Sequence, residues 1–186
     1  MVWIELLVLL VCILVGARLG GIGLGTVAGI GLDREVARRA NRLPRWLRGN
    51  GGYALCLLPA LRYYTPVRAQ ITVRGGNRAP AAPGPGVPIF LAAFANARAY
   101  GGGMKIAPRA RLDDGKLDVC VIHDIDKSKL FCLFPTVYFG CHLNIAEVEY
   151  FQTESVELET EGPLEVYADG EYVCRTPVEV GVAPGA

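Results

Sequence analysis

The spacing of apolar residues changes near residue 70, from runs typical of helices to the two-residue alternation typical of strands. Residues 33–47 and 51–64 are predicted as helices, with Asp33 as the N-cap of the first and Pro59 bending the second. These two helices are therefore predicted to precede most of the strands.

Short apolar or alternating runs, separated by turn residues, predict a series of strands after residue 70. Residues 89–95 (IFLAAFA) and 117–122 (LDVCVI) are continuous apolar runs of the kind that buried strands show. Residues 75–88 are rich in Gly and Pro and are predicted to form a loop between two strands. The remaining predicted strands are residues 70–74, 148–152, 155–160, 164–168, 172–175 and 178–182.

One further helix is predicted at residues 128–139, with Ser128 as its N-cap and Pro135 making it irregular. Many short strands with turns between them are typical of sandwiches and barrels. We therefore expect a mainly β fold with two or three helices, in which short, mostly antiparallel strands form a β-sandwich-like body.

Composition indicates a folded globular chain rather than a disordered tail. Of its 186 residues, 52% are hydrophobic and 20% are charged, and the net charge of +1 gives no global attraction for nucleic acid. The six cysteines are widely spaced and the chain has only two histidines, so a structural zinc site is disfavoured. We expect the cysteines to be small core residues in a reducing compartment.

The N-terminal segment, residues 1–22, differs in character from the rest of the chain. Residues 2–15 are apolar except for Glu5, yet this run is shorter than the roughly 20 residues that a membrane-spanning helix needs. Three interpretations remain: a buried element, a membrane-associating segment, or the artificial start of a chain that lacks its true beginning. The third is favoured, and residues 23–186 are then the folded domain.

Six arginines follow one another at near-helical spacing between residues 34 and 48. A solvated helical face is the favoured interpretation, since charged runs on surface helices are common. A patch for phosphate or lipid headgroups is the alternative.

The segment RLDDGKLD, residues 111–118, combines two adjacent carboxylates with a glycine. Asp113, Asp114 and Gly115 are typical of a tight turn, in which aspartate side chains and a left-handed glycine reverse the chain. Such a turn can also present a carboxylate and backbone carbonyls to a hard cation such as Mg²⁺. From the residues alone, an ordinary hairpin turn is the favoured interpretation.

The segment YADGEY, residues 167–172, carries a second turn signal in Asp169 and Gly170. The turn does not require Glu171, whose carboxylate at the start of a strand could accept a proton from a hydroxyl nucleophile. An exposed hairpin glutamate is the alternative and, on this evidence alone, the favoured interpretation.

Glycines 101 to 103 lack the Lys-Ser/Thr pair of a P-loop, but they allow backbone N–H groups to approach a phosphate. Asn96, at the end of the preceding strand, could bind a ligand or cap the strand. Asn96, Gly101, Gly102 and Gly103 are therefore the candidate cofactor-binding residues.

In this order and spacing, the motifs resemble the C-terminal domain of the diacylglycerol kinase catalytic family, the bacterial soluble lipid kinases related to sphingosine kinases. The resemblance covers residues 25–186 and implies the C-terminal domain of the lipid kinase and NAD kinase-like fold. The matching segments are residues 29–37, 49–64, 96–108, 111–118, 140–142 and 169–171.

The resemblance implies ATP-dependent phosphoryl transfer to a lipid hydroxyl, such as that of diacylglycerol, in a cleft between two domains. By position, it implies that the side chain of Asp114 and the carbonyls of Arg111 and Lys116 bind a structural Mg²⁺. It likewise implies that Glu171 is the proton acceptor. We expect a cytoplasmic protein at the membrane periphery. Its expected partner is the lipid alcohol and not a nucleic acid, and the sequence leaves open whether it forms a homodimer.

The family's N-terminal α/β domain, with its GGDGT-type loop for ATP, has no counterpart in this sequence. We therefore expect the chain to be inactive alone. A truncated or misstarted reading frame is the favoured explanation, and half of a split enzyme is the less favoured one. The alternative function is a non-catalytic lipid-binding or regulatory module that retains the β-rich domain.

Overall fold

The computed structural model describes residues 27–40, 42–44, 53–76, 86–100, 103–169 and 171–182. The helices there are α1 (Leu32–Ala40), α2 (Tyr53–Tyr63) and α3 (Lys127–Phe139), and a 3₁₀ helix spans Cys141–Asn144. The strands are β1 (Val27–Gly31), β2 (Val67–Gly76), β3 (Val87–Ala95), β4 (Leu117–His123), β5 (Val148–Thr160), β6 (Glu165–Ala168), β7 (Glu171–Arg175) and β8 (Val178–Gly181). The predicted N-terminal segment, residues 1–22, lies outside the described residues.

The strands form one antiparallel sheet in the order β2-β5-β4-β3-β1-β6-β7, with β8 on the second half of β5. Strand β2 also pairs with β3 through Val67 to Ala69, so β2, β5, β4 and β3 close into a ring. The predicted mainly β, sandwich-like fold with antiparallel strands and a few helices is confirmed.

Strand β3 is buried on both faces, which explains its continuous apolar run. Phe90 and Ala93 contribute to the core beneath the helices, whereas Ile89, Ala92 and Phe94 contribute to the core enclosed by the strands. All five side chains are almost completely excluded from solvent. A strand in this position needs apolar residues at every position rather than at alternate ones.

Helix α1 ends at Ala40 and is followed by a turn at Arg42 and Leu43, whereas the sequence pattern predicted a helix as far as residue 47. The last positions of that predicted helix lie outside the described residues. Helix α2 contains Pro59, as predicted. Within the described ranges, no helix is both long and apolar enough to cross a bilayer.

The predicted N-cap of α3 was wrong by two residues. The Asp126 carboxylate, rather than the Ser128 hydroxyl, caps the helix: its Oδ1 accepts hydrogen bonds from the N–H groups of Ser128 (2.9 Å) and Lys129 (3.4 Å). A charged oxygen two residues upstream satisfies the free amides of the first turn and lets the helix begin earlier.

The two strands predicted at residues 148–152 and 155–160 are one continuous strand, β5. Its first half pairs with β4 and its second half with β2 and β8, and Thr153 lies where the partner changes. The buried Thr153 hydroxyl donates to backbone carbonyls near the end of β2, including that of Arg74. The interrupted apolar pattern therefore marks a change of partner, not a strand end.

The cysteines only partly meet the prediction that they are core residues. Cys56 and Cys120 are buried and Cys174 is half-buried, but Cys132 and Cys141 are exposed on α3 and the 3₁₀ helix. Cys132 lies on the solvent side of α3, whose sequence is mainly apolar. Its apolar neighbours in the sequence therefore led to the wrong prediction that it is buried.

Two glycines with positive φ provide a matched test of this architecture. A Cβ at Gly31 (φ +83°) would lie 2.4 Å from the Phe90 carbonyl oxygen, whereas a Cβ at Gly115 (φ +64°) meets nothing within 4 Å. We expect Gly115→Ala to cost about 1–2 kcal/mol for the left-handed backbone alone. Gly31→Ala adds the collision with β3 and should cost about 3–5 kcal/mol. Urea denaturation measures both, and equal losses would contradict the close approach of β1 to β3.

Candidate functional site

The sheet brings the predicted site motifs to one of its edges. Ala95, the last residue of β3, pairs with Asp118 near the start of β4 and with Val27 at the start of β1. Ala168, the last residue of β6, lies beside the start of β1 and pairs with Glu171, the first residue of β7. The long loop 96–116 and the turn at 169–170 therefore leave the sheet on the same side, which we name the site edge.

The two turns of the site edge are nevertheless distinct places. Strands β4 and β7 are four strand spacings apart, which corresponds to about 19 Å along the sheet. Strands β3, β1 and β6 therefore lie between the strand that follows the Asp114 turn and the strand that begins with Glu171.

The turn between β6 and β7 is fastened to β1 by paired hydrogen bonds. The Asp169 N–H donates to the Val27 carbonyl (3.0 Å), and the Val27 N–H donates to Oδ1 of Asp169 (3.0 Å). Asp169 has a φ of +49°, a left-handed conformation that aspartate tolerates better than most residues. Glu171 follows, exposed to solvent, at the start of β7. We name these two hydrogen bonds between Asp169 and Val27 the clamp, and they hold the turn next to the start of β7, where the predicted proton acceptor lies. Gly170 lies outside the described residues.

The turn before β4 has the geometry that the sequence predicted. Asp114 Oδ1 accepts a hydrogen bond from the Lys116 N–H (3.0 Å), and Gly115 adopts the left-handed conformation. Arg111 Nε donates to Oδ1 of Asp113 (3.2 Å), and this bond holds the pKa of the Asp113 carboxyl below its usual range. Asp113 is therefore engaged by Arg111, while Asp114 shapes the turn.

The residues of this turn fit a hard cation. Asp114 uses one carboxylate oxygen in the turn, and the predicted ligands Arg111 and Lys116 would contribute backbone carbonyl oxygens. In the described part of the chain, no three His, Cys, Asp or Glu side chains lie close enough to hold a metal together. Mg²⁺ is commonly held by one or two carboxylates and completes its shell with water, so binding of Mg²⁺ at Asp114 stays a prediction.

Asp118 is a buried carboxylate at the site edge that the sequence-based predictions did not single out. It is 0% exposed, and it accepts hydrogen bonds from the Tyr150 hydroxyl and from Gln152 Nε2 (3.1 Å). Burial raises the pKa of Asp118, and the two hydrogen bonds act in the opposite direction. The available signal was a charged residue inside the apolar run LDVCVI, because such a residue needs partners when it is buried.

Tyr150 joins this carboxylate to loop 96–116. Burial and the neighbouring Asp118 raise the pKa of the Tyr150 hydroxyl, so it stays a proton donor. The Arg109 guanidinium lies over the Tyr150 ring, 5.7 Å from its centroid. Strands β4 and β5 and a loop segment are thus connected through one polar cluster.

Loop 96–116 is also anchored to the helical side of the molecule. Nε2 of the fully buried His142 bonds to the Ile106 carbonyl (3.1 Å), and the Lys105 N–H donates to the Val137 carbonyl (3.1 Å). Because a carbonyl only accepts, Nε2 carries the proton in the neutral ring, and burial lowers the pKa of His142. His142 therefore has a structural role, because its ring binds the backbone of loop 96–116 at Ile106.

The candidate cofactor-binding residues are only partly described. Oδ1 of Asn96 is buried and has no hydrogen-bond partner among the described residues. This oxygen is therefore able to accept a hydrogen bond from a ligand at the site edge. The Gly103 N–H donates to the Tyr100 carbonyl (3.2 Å) within the loop. Gly101 and Gly102 lie outside the described residues.

An apolar cavity of about 50 Å³ lies between the helices and the sheet. Val36, Leu57 and Phe134 line it from α1, α2 and α3, and Tyr100 and Met104 line it from loop 96–116. The loop that leaves the site edge therefore also reaches the apolar interior beneath the helices.

Comparison with known proteins agrees with this arrangement. The family model of the YegS C-terminal domain, described as NAD kinase beta sandwich-like, matches residues 26–186. The chain is 36% identical over 162 residues to a diacylglycerol kinase of Mycobacterium tuberculosis, covering 87% of this chain and 50% of that protein. It is 30% identical over 145 residues to a probable YegS-like lipid kinase of Chromohalobacter salexigens, covering 75% of this chain and 43% of that protein.

Solved structures show the same fold. A diacylglycerol kinase chain from Bacillus anthracis aligns with a TM-score of 0.53 at 18% identity, covering 86% of this chain and 46% of that chain. Another chain from this bacterium aligns with a TM-score of 0.60 at 24% identity and 50% coverage of its length. The chain belongs to the family of YegS C-terminal domains, and it spans about half the length of the curated relatives it matches.

The polar cluster around Asp118 provides a direct test of the site edge. Tyr150→Phe removes one donor from a buried carboxylate, so we expect a loss of about 1–3 kcal/mol in the free energy of unfolding. Tyr63→Phe is the matched control, because Tyr63 is 72% exposed and should change stability by less than about 0.5 kcal/mol. Urea denaturation at neutral pH measures both, and equal effects would argue against the buried hydrogen bond.

Proposed function

We propose that this chain is the substrate- and cation-binding half of an ATP-dependent lipid kinase. The reaction transfers the terminal phosphoryl group of ATP to the hydroxyl of a lipid alcohol such as diacylglycerol. The observation that carries the proposal is the convergence of the Asp114 turn, the Glu171 turn and Asn96 on one sheet edge, in a chain of a family whose named relatives include lipid kinases.

In this proposal Glu171 is the general base. Its carboxylate accepts the proton of the lipid hydroxyl while that oxygen forms a bond to the terminal phosphorus and the bond from phosphorus to the leaving oxygen of ADP breaks. The hydrogen bonds between Asp169 and Val27 support this role, because they hold the start of β7 in place. The exposed position of Glu171 leaves its carboxylate accessible to a substrate.

Asp114, with the carbonyls of Arg111 and Lys116, is proposed to hold Mg²⁺. When bound, the ion supplies positive charge that draws these oxygens together and stiffens the turn. The family resemblance implies a structural ion, and the three strands that lie between β4 and β7 support this role.

Asn96 and the glycines at 101, 102 and 103 are proposed to face the nucleotide. Support comes from the buried Oδ1 of Asn96, which has no hydrogen-bond partner among the described residues and can accept a hydrogen bond from an amine or hydroxyl donor. Most of the ATP site is proposed to belong to a separate nucleotide-binding domain, so the chain alone should transfer no phosphoryl group.

The apolar cavity beneath the helices is proposed as the start of the acyl-chain site. Its volume of about 50 Å³ is well below the roughly 300–1,000 Å³ of sites that hold small organic ligands. Lipid entry therefore requires the helices to move apart. A membrane lipid as substrate and ATP as co-substrate together support a cytoplasmic location at the membrane periphery.

A non-catalytic lipid-binding or regulatory module is the second candidate. It is favoured by the apolar cavity, which does not depend on Glu171. Saturable binding of lipid without phosphoryl transfer under any condition would support it.

Glu171→Gln tests the catalytic assignment. The chain is combined with a separately produced nucleotide-binding half of the related Mycobacterium tuberculosis diacylglycerol kinase, and radiolabel transfer from ATP to diacylglycerol is followed. Loss of the general base should reduce the rate by about 10²–10⁴-fold. Glu179→Gln on the exposed strand β8 is the matched control and should leave the rate unchanged.

Full activity of Glu171→Gln would remove Glu171 from the mechanism. No transfer in any mixture, despite demonstrated association of the two halves, would contradict the kinase proposal and favour the lipid-binding module.

Asp114→Ala tests the cation site. A ligand present at one hundred times its Kd stabilises the folded state by about 2.7 kcal/mol, so Mg²⁺ at that excess should raise the Tm by roughly 5–10 °C. This shift should disappear in Asp114→Ala and persist in Asp113→Ala, because Asp113 pairs with Arg111 instead. Differential scanning calorimetry with and without EDTA measures it, and an identical response of all three proteins would argue against the site.

A further inference from the structure

A second cavity, of about 350 Å³, lies at the ends of the strands that are opposite to the site edge. Gly31, the last residue of β1, lines it about 13 Å along that strand from Val27, and Leu164, just before β6, lines it as well. We name this space the polar cavity. The other elements contribute Glu35 on α1, Tyr63 at the end of α2, and Tyr64 and Thr65 in the connection to β2.

The polar cavity has the size of a site for a small organic molecule. Such sites measure roughly 300–1,000 Å³, a range that includes the polar cavity but not the apolar cavity of about 50 Å³. Gly31 helps to keep the space open, because a Cβ at this position would lie 3.1 Å from the Tyr64 hydroxyl oxygen. Tyr63 and Thr65 are exposed, so a ligand can reach the cavity from solvent without a movement of the helices.

The charges at the polar cavity favour a neutral ligand. Glu35 is the one charged side chain among the described residues that line the cavity, and Nε of Arg39 donates to its Oε1 (2.9 Å). Because this ion pair compensates the charge of Glu35, a cationic ligand gains little attraction, while an anion meets a carboxylate. A carboxylate has about four acceptor positions, so Glu35 can accept further hydrogen bonds.

The remaining groups of the polar cavity suit a ligand with many hydroxyl groups. Tyr63, Tyr64 and Thr65 each carry a hydroxyl that can both donate and accept a hydrogen bond. The two tyrosine rings add apolar surface next to these hydroxyls. Sugars and sugar alcohols present hydroxyl groups and C–H groups side by side, and therefore complement this combination.

We propose that the polar cavity binds a neutral polyhydroxylated small molecule, of the class of monosaccharides and sugar alcohols. The Glu35 carboxylate accepts hydrogen bonds from ligand hydroxyls, the Thr65 hydroxyl exchanges hydrogen bonds with them, and the Tyr63 ring covers C–H groups of the ligand. This inference does not rest on the kinase proposal, because the polar cavity shares no lining residue with the site edge.

Titration of the 186-residue chain with glucose and with sorbitol, followed by saturation-transfer difference NMR, tests the proposal. A ligand of this size with typical binding energy per atom has a Kd of about 1 mM. Choline and inorganic phosphate are the cationic and anionic probes. We expect saturable binding of glucose or sorbitol, and weaker binding of both charged probes.

Glu35→Ala should weaken the binding of the sugar probe about tenfold or more, because it removes hydrogen bonds to a charged acceptor. Glu179→Ala on β8 is the matched control, since it removes a glutamate that does not line the polar cavity. This control should bind the probe as the parent chain does. Equal weakening by the two variants would overturn the proposed role of Glu35.

Two further substitutions test the site without changing its charge. Thr65→Val removes a hydroxyl at an exposed position and should weaken binding about 2–10-fold. Tyr63→Phe keeps the ring and should retain most of the binding, whereas Tyr63→Ala should lose it. Equal binding by these two Tyr63 variants would contradict contact between the ring and the ligand.

Circular dichroism and urea denaturation establish that each variant folds, and Thr65→Val and Tyr63→Phe keep the test valid should Glu35→Ala fail to fold. The absence of saturable binding of both glucose and sorbitol would overturn the proposal. Tighter binding of choline would instead indicate a site for organic cations, and tighter binding of phosphate would indicate an anion site at Arg39. Either result would also overturn it.

Discussion

Burial of β3 on both faces is the constraint on which the rest of the structure depends. Its side chains contribute to the core beneath the helices and to the core enclosed by the strands, and its backbone pairs with β1, β2 and β4. A strand in this position fixes the register of its neighbours, because a shift of one residue would exchange the side chains between the two cores. The loop that follows β3 and precedes β4 is therefore placed by packing.

This placement connects the fold to the candidate site. The site edge exists because Ala95 pairs with both Asp118 and Val27, and the clamp between Asp169 and Val27 extends the same row to β7. Short-range interactions then shape each turn, whereas the distance between the turns follows from the strand order. The Asp114 turn and Glu171 are thus separate parts of one edge, in a chain of a family with lipid kinases among its relatives.

The sequence predicted the elements best where one local signal dominates. The runs at residues 89–95 and 117–122 became β3 and β4, and the Asp114 turn formed with Gly115 in the left-handed conformation. The N-cap of α3 was misplaced because two neighbouring polar residues competed for the role. The apparent gap in β5 arose because the pattern changes where the strand exchanges partners.

The sequence alone determined the strand-rich character, the chemistry of the two turns and the family resemblance, because these depend on residue type, local spacing and motif order. Only the tertiary structure decided that the turns share an edge but lie about 19 Å apart along the sheet, since strand order is not encoded locally. It alone showed the partners of Asp118, which come from β5 about thirty residues away.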